Sequence, residues 1–140
     1  MNDNINRQGV YVTFKEEEYT FAIPIVYSLG IMRGDRSDMR YSNMLNAPHY
    51  VKYIAMCSSQ CIVVVQIPGI DVDTPITDSL LVLLEHPKQV VGVLANEVNT
   101  VQVSQNKVLT NRVTGQRHFF HNGKNCLILD IPQLYNQLGI

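Results

Sequence analysis

The amino-acid sequence predicts a mainly β fold built from one or more small barrels. Strand-length runs rich in β-branched and aromatic residues recur along the chain, turn-forming residues separate them, and helix signals are sparse. Hydrophobic residues make up 46% of the 140 residues and charged residues 16%. This composition is typical of a globular protein with a core of its own. We therefore expect one domain over residues 1–140.

Three hairpins are predicted from paired strand-like runs. The first covers residues 10–23 around the charged turn "KEEE", and the second covers residues 53–67 with a turn beginning at Ser58. The third joins "SLLVLLE" to "QVVGVLA" through "HPK", and "NTVQVSQ" continues it by alternation.

The C-terminal part is predicted to end in a strand and a helix. A polar stretch at residues 106–117 is expected to be an irregular loop, and "NCLILDI" is predicted to be the last strand. Pro132 then opens a short amphipathic helix with Leu134 and Leu138 on one face.

Turn formers and prolines predict the remaining boundaries. We expect a disordered start at residues 1–8, extended structure at residues 29–33 and an exposed loop at residues 34–46. Pro48 can open a short helical turn that runs through residue 52. "PGIDVDTPITD", residues 68–78, is predicted to be the break between two halves of the protein.

The charge balance excludes several classes of partner. Eleven Lys and Arg against 12 Asp and Glu give a net charge of −1, so we expect no nucleic-acid binding.

The longest apolar runs have the length of strands, and we expect no membrane insertion. "MNDNINRQGVYVTF" lacks the pattern of a signal peptide, which favours a cytoplasmic protein.

No catalytic motif is visible. The chain has no phosphate-binding glycine loop, no HExxH pair and no GxSxG elbow. His118 and His121 would lie on opposite faces of a strand, and the three glutamates at residues 16–18 fit a solvated turn. We therefore expect no catalytic residue, no metal, no cofactor and no enzymatic activity.

The cysteines leave three interpretations open. An odd number, three, without an export signal favours reduced thiols. Cys57 and Cys61 would face each other across a three-residue turn, or lie diagonally across a turn of two residues. Core packing, redox pairing and a metal site completed by Cys126 or a histidine are the alternatives.

Four stretches in order resemble a known family. They are "FAIPIVYSLGIMR", "NAPHYVKYIAMCSSQCIVVVQI", "VVGVLANEVNTVQVSQNKV" and "GKNCLILDIPQLYNQL". Together, from about Gly9 to Leu138, they resemble the CheW-like domain of bacterial chemotaxis adaptors. The resemblance rests on the order and spacing of these stretches, since none of them is a catalytic signature.

The resemblance implies an architecture and a role. The fold would be two small five-stranded β-barrels side by side, with a hydrophobic groove between them. The role would be a noncatalytic adaptor that couples the cytoplasmic tips of chemoreceptors to a CheA-type histidine kinase. A variant of that role serves chemosensory arrays that control type IV pili.

Three positions depart from the family pattern. Where the family reads Asn-Leu-Arg-Gly at a hairpin tip, this chain has "MCSS", which places Ser58 at the arginine position. The family's glutamate in the strand before Arg33 corresponds to Gly30, and a nearby apolar groove residue corresponds to Ser28.

Two functions follow as hypotheses. The first is a CheW-type adaptor of a divergent or pilus-linked array, whose partner-binding candidates are the residues of the implied groove: Ile31, Met32, Arg33, Met56 and Ser58. Exposed Met and Ile suit a helical partner, whereas strand alternation could equally bury them. The second is a small β-barrel with a thiol or metal function centred on Cys57, Cys61 and His49.

Overall fold

Twelve β-strands and one α-helix form the part of the chain that the structure, a computed structural model, describes. The described residues are 9–16, 18–42, 50–58, 60–67 and 79–140. The mainly β fold class and the short C-terminal helix predicted from the sequence are confirmed. The elements are β1 (Val10–Glu16), β2 (Tyr19–Pro24), β3 (Ser28–Arg33), β4 (Met39–Ser42), β5 (Val51–Cys57), β6 (Gln60–Val65), β7 (Leu80–Glu85), β8 (Val90–Ala95), β9 (Glu97–Gln102), β10 (Leu109–Thr110), β11 (Arg117–His121), β12 (Lys124–Ile128) and α1 (Ile131–Leu138).

The strands form two six-stranded sheets. The terminal sheet, in the order β10-β11-β12-β2-β1-β9, takes its strands from the two ends of the described chain. The central sheet, in the order β3-β7-β8-β6-β5-β4, takes the strands between them. Neighbouring strands are antiparallel except in the pairs β12 with β2 and β6 with β8, which are parallel.

The central sheet buries side chains on both faces because alternate residues of a strand point in opposite directions. Leu81 on β7 lies in a cluster on one face, and Val82 lies in a cluster on the other. Met32 from β3 and Tyr41 from β4 both pack against the cluster that contains Leu81, which we call the inner core of the central sheet. The strands β3 and β4 stand at opposite ends of the hydrogen-bonded order, so the sheet curls around this inner core.

The terminal sheet has a corresponding inner core, and a third core joins the two sheets. Tyr11 on β1 and Phe119 on β11 pack with ring centroids 5.2 Å apart inside the terminal sheet. The shared core lies between the sheets and also receives α1. Its buried residues are Val12, Phe14, Phe21, Ile23, Val65, Ile67, Val82, Leu84, Val91, Val93, Ala95, Ile131, Leu134 and Leu138. Each large aliphatic or aromatic side chain buried in this way contributes about 1.5–3 kcal/mol.

Helix α1 has identifiable start and stop signals. The carboxylate of Asp130 accepts a hydrogen bond from the amide of Gln133 at 3.1 Å, which caps the first turn. Gly139 ends the helix in the left-handed conformation, φ 74°. Leu134 and Leu138 are buried on one face, as the sequence predicts. Among the residues that the structure describes, no helix is long and apolar enough to cross a bilayer.

The side chain of Tyr135 attaches α1 to the central sheet. Its hydroxyl donates a hydrogen bond to the carbonyl of Glu85 at the end of β7. Its ring packs edge-on against His86, with centroids 4.7 Å apart. Burial and the neighbouring Glu85 raise the pKa of Tyr135 to about 12.

The strand count differs from the two five-stranded barrels that the resemblance implied. Each sheet has six strands, and among the described residues the two end strands of a sheet are not hydrogen-bonded to each other. Two short strands account for the difference, because β4 with four residues and β10 with two residues extend the sheets without closing them.

The chain passes between the sheets at two points. The first is a short 3-10 helix, Ile25–Tyr27, between β2 and β3, and the second is Asn96 between β8 and β9. The break predicted at residues 68–78 lies outside the described residues, and the strands before and after it both belong to the central sheet. Within the described part of the central sheet, β8 pairs between β7 and β6. The break itself stays a prediction.

Four local predictions need correction. Within the predicted loop 34–46, residues 39–42 form β4, because Met39 is buried in the inner core and pairs with β5. Val51 and Lys52 begin β5 instead of ending a helical turn. The strand β9 does not continue the third hairpin but pairs with β1 in the other sheet. The predicted irregular loop 106–117 contains β10 and the first residue of β11.

Candidate functional site

An apolar row is exposed along β3 and the short 3-10 helix before it. Val26, Leu29 and Ile31 have 49%, 54% and 46% of their surface accessible, respectively. Ile31 stands directly opposite the fully buried Val82 of the shared core, so the row continues that core to the surface. Among the described residues β3 pairs with β7 alone, which leaves its other edge open. We call Val26, Leu29 and Ile31 the β3 row.

The other two predicted residues on β3 have different surroundings. Met32 is half-buried and packs into the inner core of the central sheet, opposite Leu81. Arg33 is exposed, and its guanidinium donates two hydrogen bonds to the carboxylate of Asp35 at 2.9 and 3.0 Å. The structure therefore places Ile31 and Arg33 on the accessible side of β3 and Met32 on the inner side.

A bulge in β3 explains why this chain has Gly30 where the family pattern has a glutamate. The pairing register with β7 shifts between Ser28 and Gly30, and Gly30 has a φ of 145°. L-amino acids are strained at this angle, although no atom lies within 4 Å of where a Cβ would be. The backbone at this position therefore disfavours the glutamate that the family pattern carries.

The remaining predicted residues lie at the tip of the hairpin formed by β5 and β6. Met56 is exposed on the outward face, and Ser58 is exposed with a left-handed φ of 54°. In the hydrogen-bonded order of the central sheet, β7, β8 and β6 stand between β3 and β5. The sheet pairing therefore does not bring Met56 or Ser58 beside Ile31.

The two cysteines of this hairpin point to opposite faces. Cys57 pairs with Gln60, which gives a two-residue turn. Cys57 is buried in the inner core, whereas Cys61 is exposed on the outward face beside Met56. A disulfide between the two is therefore excluded by geometry. Cys126 is buried in the inner core of the terminal sheet.

Cys57 belongs to a short polar chain at the edge of the inner core. Its thiol donates a hydrogen bond to Asp38 at 3.3 Å, and Asp38 accepts two further bonds from Arg36 at 2.7 and 2.9 Å. The hydrogen bond from Arg36 lowers the pKa of Asp38, while burial and Asp38 raise the pKa of Cys57. The arrangement favours a neutral thiol, which is a poor nucleophile and metal ligand.

Metal ligation finds no support in the part of the chain that can be described. There, no three His, Cys, Asp or Glu side chains come together as a metal-binding group. His118 and His121 lie on opposite faces of β11, as the sequence predicts. His49, the third member of the hypothetical thiol or metal site, lies outside the described residues.

A cleft of about 720 Å³ beside α1 was not predicted from the sequence. It is lined by residues of β2, the loop before β11, β12 and α1, and by Ile67 after β6. The amide of Gln116 holds this loop in place by donating to the carbonyl of Ile128 at 2.7 Å. Separate parts of the chain form the cleft, so no local pattern could have indicated it.

Comparisons with known proteins support the architecture. No protein-family model matches the chain, and no curated protein matches it significantly. Among solved structures, it is similar to the scaffolding protein TtCheW from Thermoanaerobacter tengcongensis, with a TM-score of 0.69 and 16% sequence identity over 86% of this chain and 87% of that one. At this identity the similarity establishes the fold alone. The chain thus has a CheW-like fold.

Proposed function

We propose that the chain is a noncatalytic signalling adaptor of the CheW type. In this role it couples the cytoplasmic tip of chemoreceptors to a CheA-type histidine kinase, in a flagellar or a pilus-linked array in the cytoplasm. The observation that carries the proposal is the CheW-like fold, which is shared with a structure described as a scaffolding protein.

The β3 row supports the proposal by offering a surface for a helical partner. Ile31 stands opposite Val82 of the shared core, and the adjacent Arg33 can exchange Asp35 for a carboxylate of the partner. Aliphatic residues at the edge of a core serve as anchors when a partner helix covers them. The hairpin tip with Met56 and Ser58 is then a separate contact, because the sheet pairing does not join it to β3.

The departures from the family pattern suggest a specialised partner. The strained backbone at Gly30 disfavours a glutamate there, and Ser58 offers no cation at the hairpin tip. Contacts that depend on those two charges are absent from this chain. We therefore expect selectivity for a receptor or kinase that binds through apolar contacts to Ile31 and Met56.

Affinity capture from the native cytoplasm tests the adaptor role. The tagged chain should retain a histidine kinase or a receptor fragment, identified by mass spectrometry. Ile31→Asp should lose that partner while its melting temperature stays close to that of the unchanged protein, because a half-exposed side chain tolerates a charge.

Thr100→Asp is the matched control, since Thr100 is exposed on β9 in the other sheet. This variant should retain the partner fully. Capture of neither a kinase nor a receptor by the unchanged chain would contradict the adaptor function. Equal retention by the folded Ile31→Asp variant would remove the β3 row from the binding surface and leave the adaptor role intact.

A further inference from the structure

The terminal sheet carries a second exposed apolar surface, in the other sheet from β3. Leu109 on β10 pairs with His118 on β11, and Phe120 on β11 pairs with Asn125 on β12, so all four side chains share one face. Tyr19 on β2 is also exposed there, next to the stacked ring of Phe21. We call this set the β11 face.

Phe120 is the most prominent residue of the β11 face. Its side chain is 61% exposed, whereas its neighbour Phe119 is fully buried. The ring of His118 packs edge-on against Phe120 with centroids 5.6 Å apart, and a 2.8 Å hydrogen bond to Asn125 fixes the imidazole. The exposed ring is therefore held in a defined place and is suited to act as an anchor.

The β11 face leads into the cleft beside α1. Phe21 and Leu127 form its floor, Tyr19 stands at its border, and Arg117 lies at the end of the loop that Gln116 fixes. The side chains around this cleft are mainly apolar groups and amides. A partner lying on the β11 face can therefore place an apolar side chain into a preformed recess.

The segment that carries most of the β11 face is basic, although Asp130 lines the adjoining cleft and Glu18 precedes Tyr19. Residues 98–129 contain no Asp or Glu, and their four cations are Lys107, Arg112, Arg117 and Lys124. None of these four pairs with a carboxylate in the described structure. Arg33 and Arg36 beside β3 each bind an aspartate two residues further on, whereas no such ion pair joins Arg40 on β4 to a described carboxylate. Unpaired cations beside exposed apolar residues are complementary to carboxylates interspersed with apolar groups.

We propose that the β11 face and the adjoining cleft bind an acidic segment of a partner protein that carries aromatic or aliphatic anchors. The anchors would contact Phe120 and enter the cleft, while carboxylates would meet Arg112 and Arg117. This surface does not depend on the adaptor function, since it lies in the other sheet from the β3 row.

An acidic peptide fits the β11 face better than a nucleic acid or an anionic membrane does. The whole chain has a net charge of −1, so it lacks the general attraction that steers proteins to nucleic acid or anionic membranes. Arg117 lines the cleft, Lys107 and Arg112 lie on the connections beside β10, and Lys124 points to the face of β12 opposite Asn125, so the cations do not form a continuous basic stripe. Carboxylates separated by apolar anchors match that spacing.

Titration of the full-length, isotope-labelled protein with a synthetic peptide tests the inference by NMR. The probe is a short peptide in which glutamates alternate with leucine and phenylalanine. We expect saturable shifts at the amides of Leu109, His118 and Phe120. Phe120→Ser should weaken binding about tenfold because it removes the anchor. The double variant Arg112→Glu, Arg117→Glu should weaken it similarly and reduce its salt dependence.

Lys88→Glu is the control for charge, since Lys88 is an exposed cation on the connection between β7 and β8. It should bind the peptide as the unchanged protein does. The inference fails if millimolar peptide produces no saturable shift on the β11 face, or if a lysine peptide of the same pattern binds equally well. It also fails if vesicles of phosphatidylglycerol or a DNA duplex shift these amides and the glutamate peptide does not.

Discussion

The central sheet and the terminal sheet bury their inner cores in the same way but present different chemistry to solvent. Beside β3 of the central sheet, Arg33 and Arg36 bind neighbouring aspartates and an aliphatic row is exposed. In the terminal sheet, Phe120 is exposed on a segment, residues 98–129, that contains no Asp or Glu. The two sheets therefore expose different side chains although they are built alike, and we propose that each contacts its own partner.

The largest expected effect contrasts two residues that face each other across β3 and β7. Val82→Asp places an unpaired charge in the shared core and should abolish cooperative unfolding at room temperature, because no neighbour can solvate the carboxylate. Ile31→Asp, one strand away, should shift the melting temperature only slightly. Circular dichroism melting of both variants measures the difference. Similar unfolding of the two would mean that Ile31 is a core residue.

A second contrast uses the adjacent phenylalanines of β11. Phe119→Ala should lower the free energy of unfolding by about 3–5 kcal/mol, since its ring is fully buried against Tyr11. Phe120→Ala should change it by less than about 1 kcal/mol, because the ring is mostly exposed. Urea denaturation distinguishes them. Equal losses would show that the β11 face is packed in solution and not available to a partner.

Local signals made the hairpins and the last helix predictable. The first and third hairpins and α1 depend on residues close in sequence: a charged turn, the "HPK" turn, and an Asp cap followed by proline. Pairing between distant strands was not predictable, because β9 could extend the third hairpin by pattern and pairs with β1 only in three dimensions. The strand β4 was missed because the charged residues before it resemble a loop, and its pairing with β5 is visible only in three dimensions.

The candidate site was predictable only in part. The resemblance directed attention to β3 and the hairpin tip, and Ile31 and Met56 are exposed there. It could not give the face of Met32, because the bulge at Gly30 sets which residues of β3 turn inward. The cleft carries no motif, since it is assembled from segments that meet through the parallel pairing of β12 with β2. The β11 face lies mostly on consecutive antiparallel strands, and Tyr19 joins it through the same parallel pairing.

The bulge provides a third and smaller test within the central sheet. Gly30→Ala should lower the free energy of unfolding by about 1–3 kcal/mol, because the left-handed backbone is strained with any Cβ while the surrounding space is empty. Ser28→Ala on the same strand is the control and should change stability by less than about 0.5 kcal/mol. Chemical denaturation measures both. An unchanged stability for the Gly30 variant would argue against the bulge.

The smallest expected effect concerns the attachment of α1. The pKa of Tyr135 is raised from 10.0 to about 12 in the folded protein, so the unfolded chain loses this proton first as the pH rises. The stability that the phenol contributes is present below about pH 10 and declines towards pH 12. Urea denaturation at about pH 9 and about pH 11 should show the stability difference between the unchanged protein and Tyr135→Phe narrowing with pH. A constant difference would contradict the buried phenol.

Hydrogen exchange on the complex with the captured histidine kinase tests the central claim, that the β3 row is the adaptor surface and the β11 face is a separate one. The account predicts that the kinase slows amide exchange across residues 28–33 and leaves residues 117–121 unchanged, and that the glutamate peptide does the reverse. Protection of residues 117–121 by the kinase with none at residues 28–33 would contradict the account.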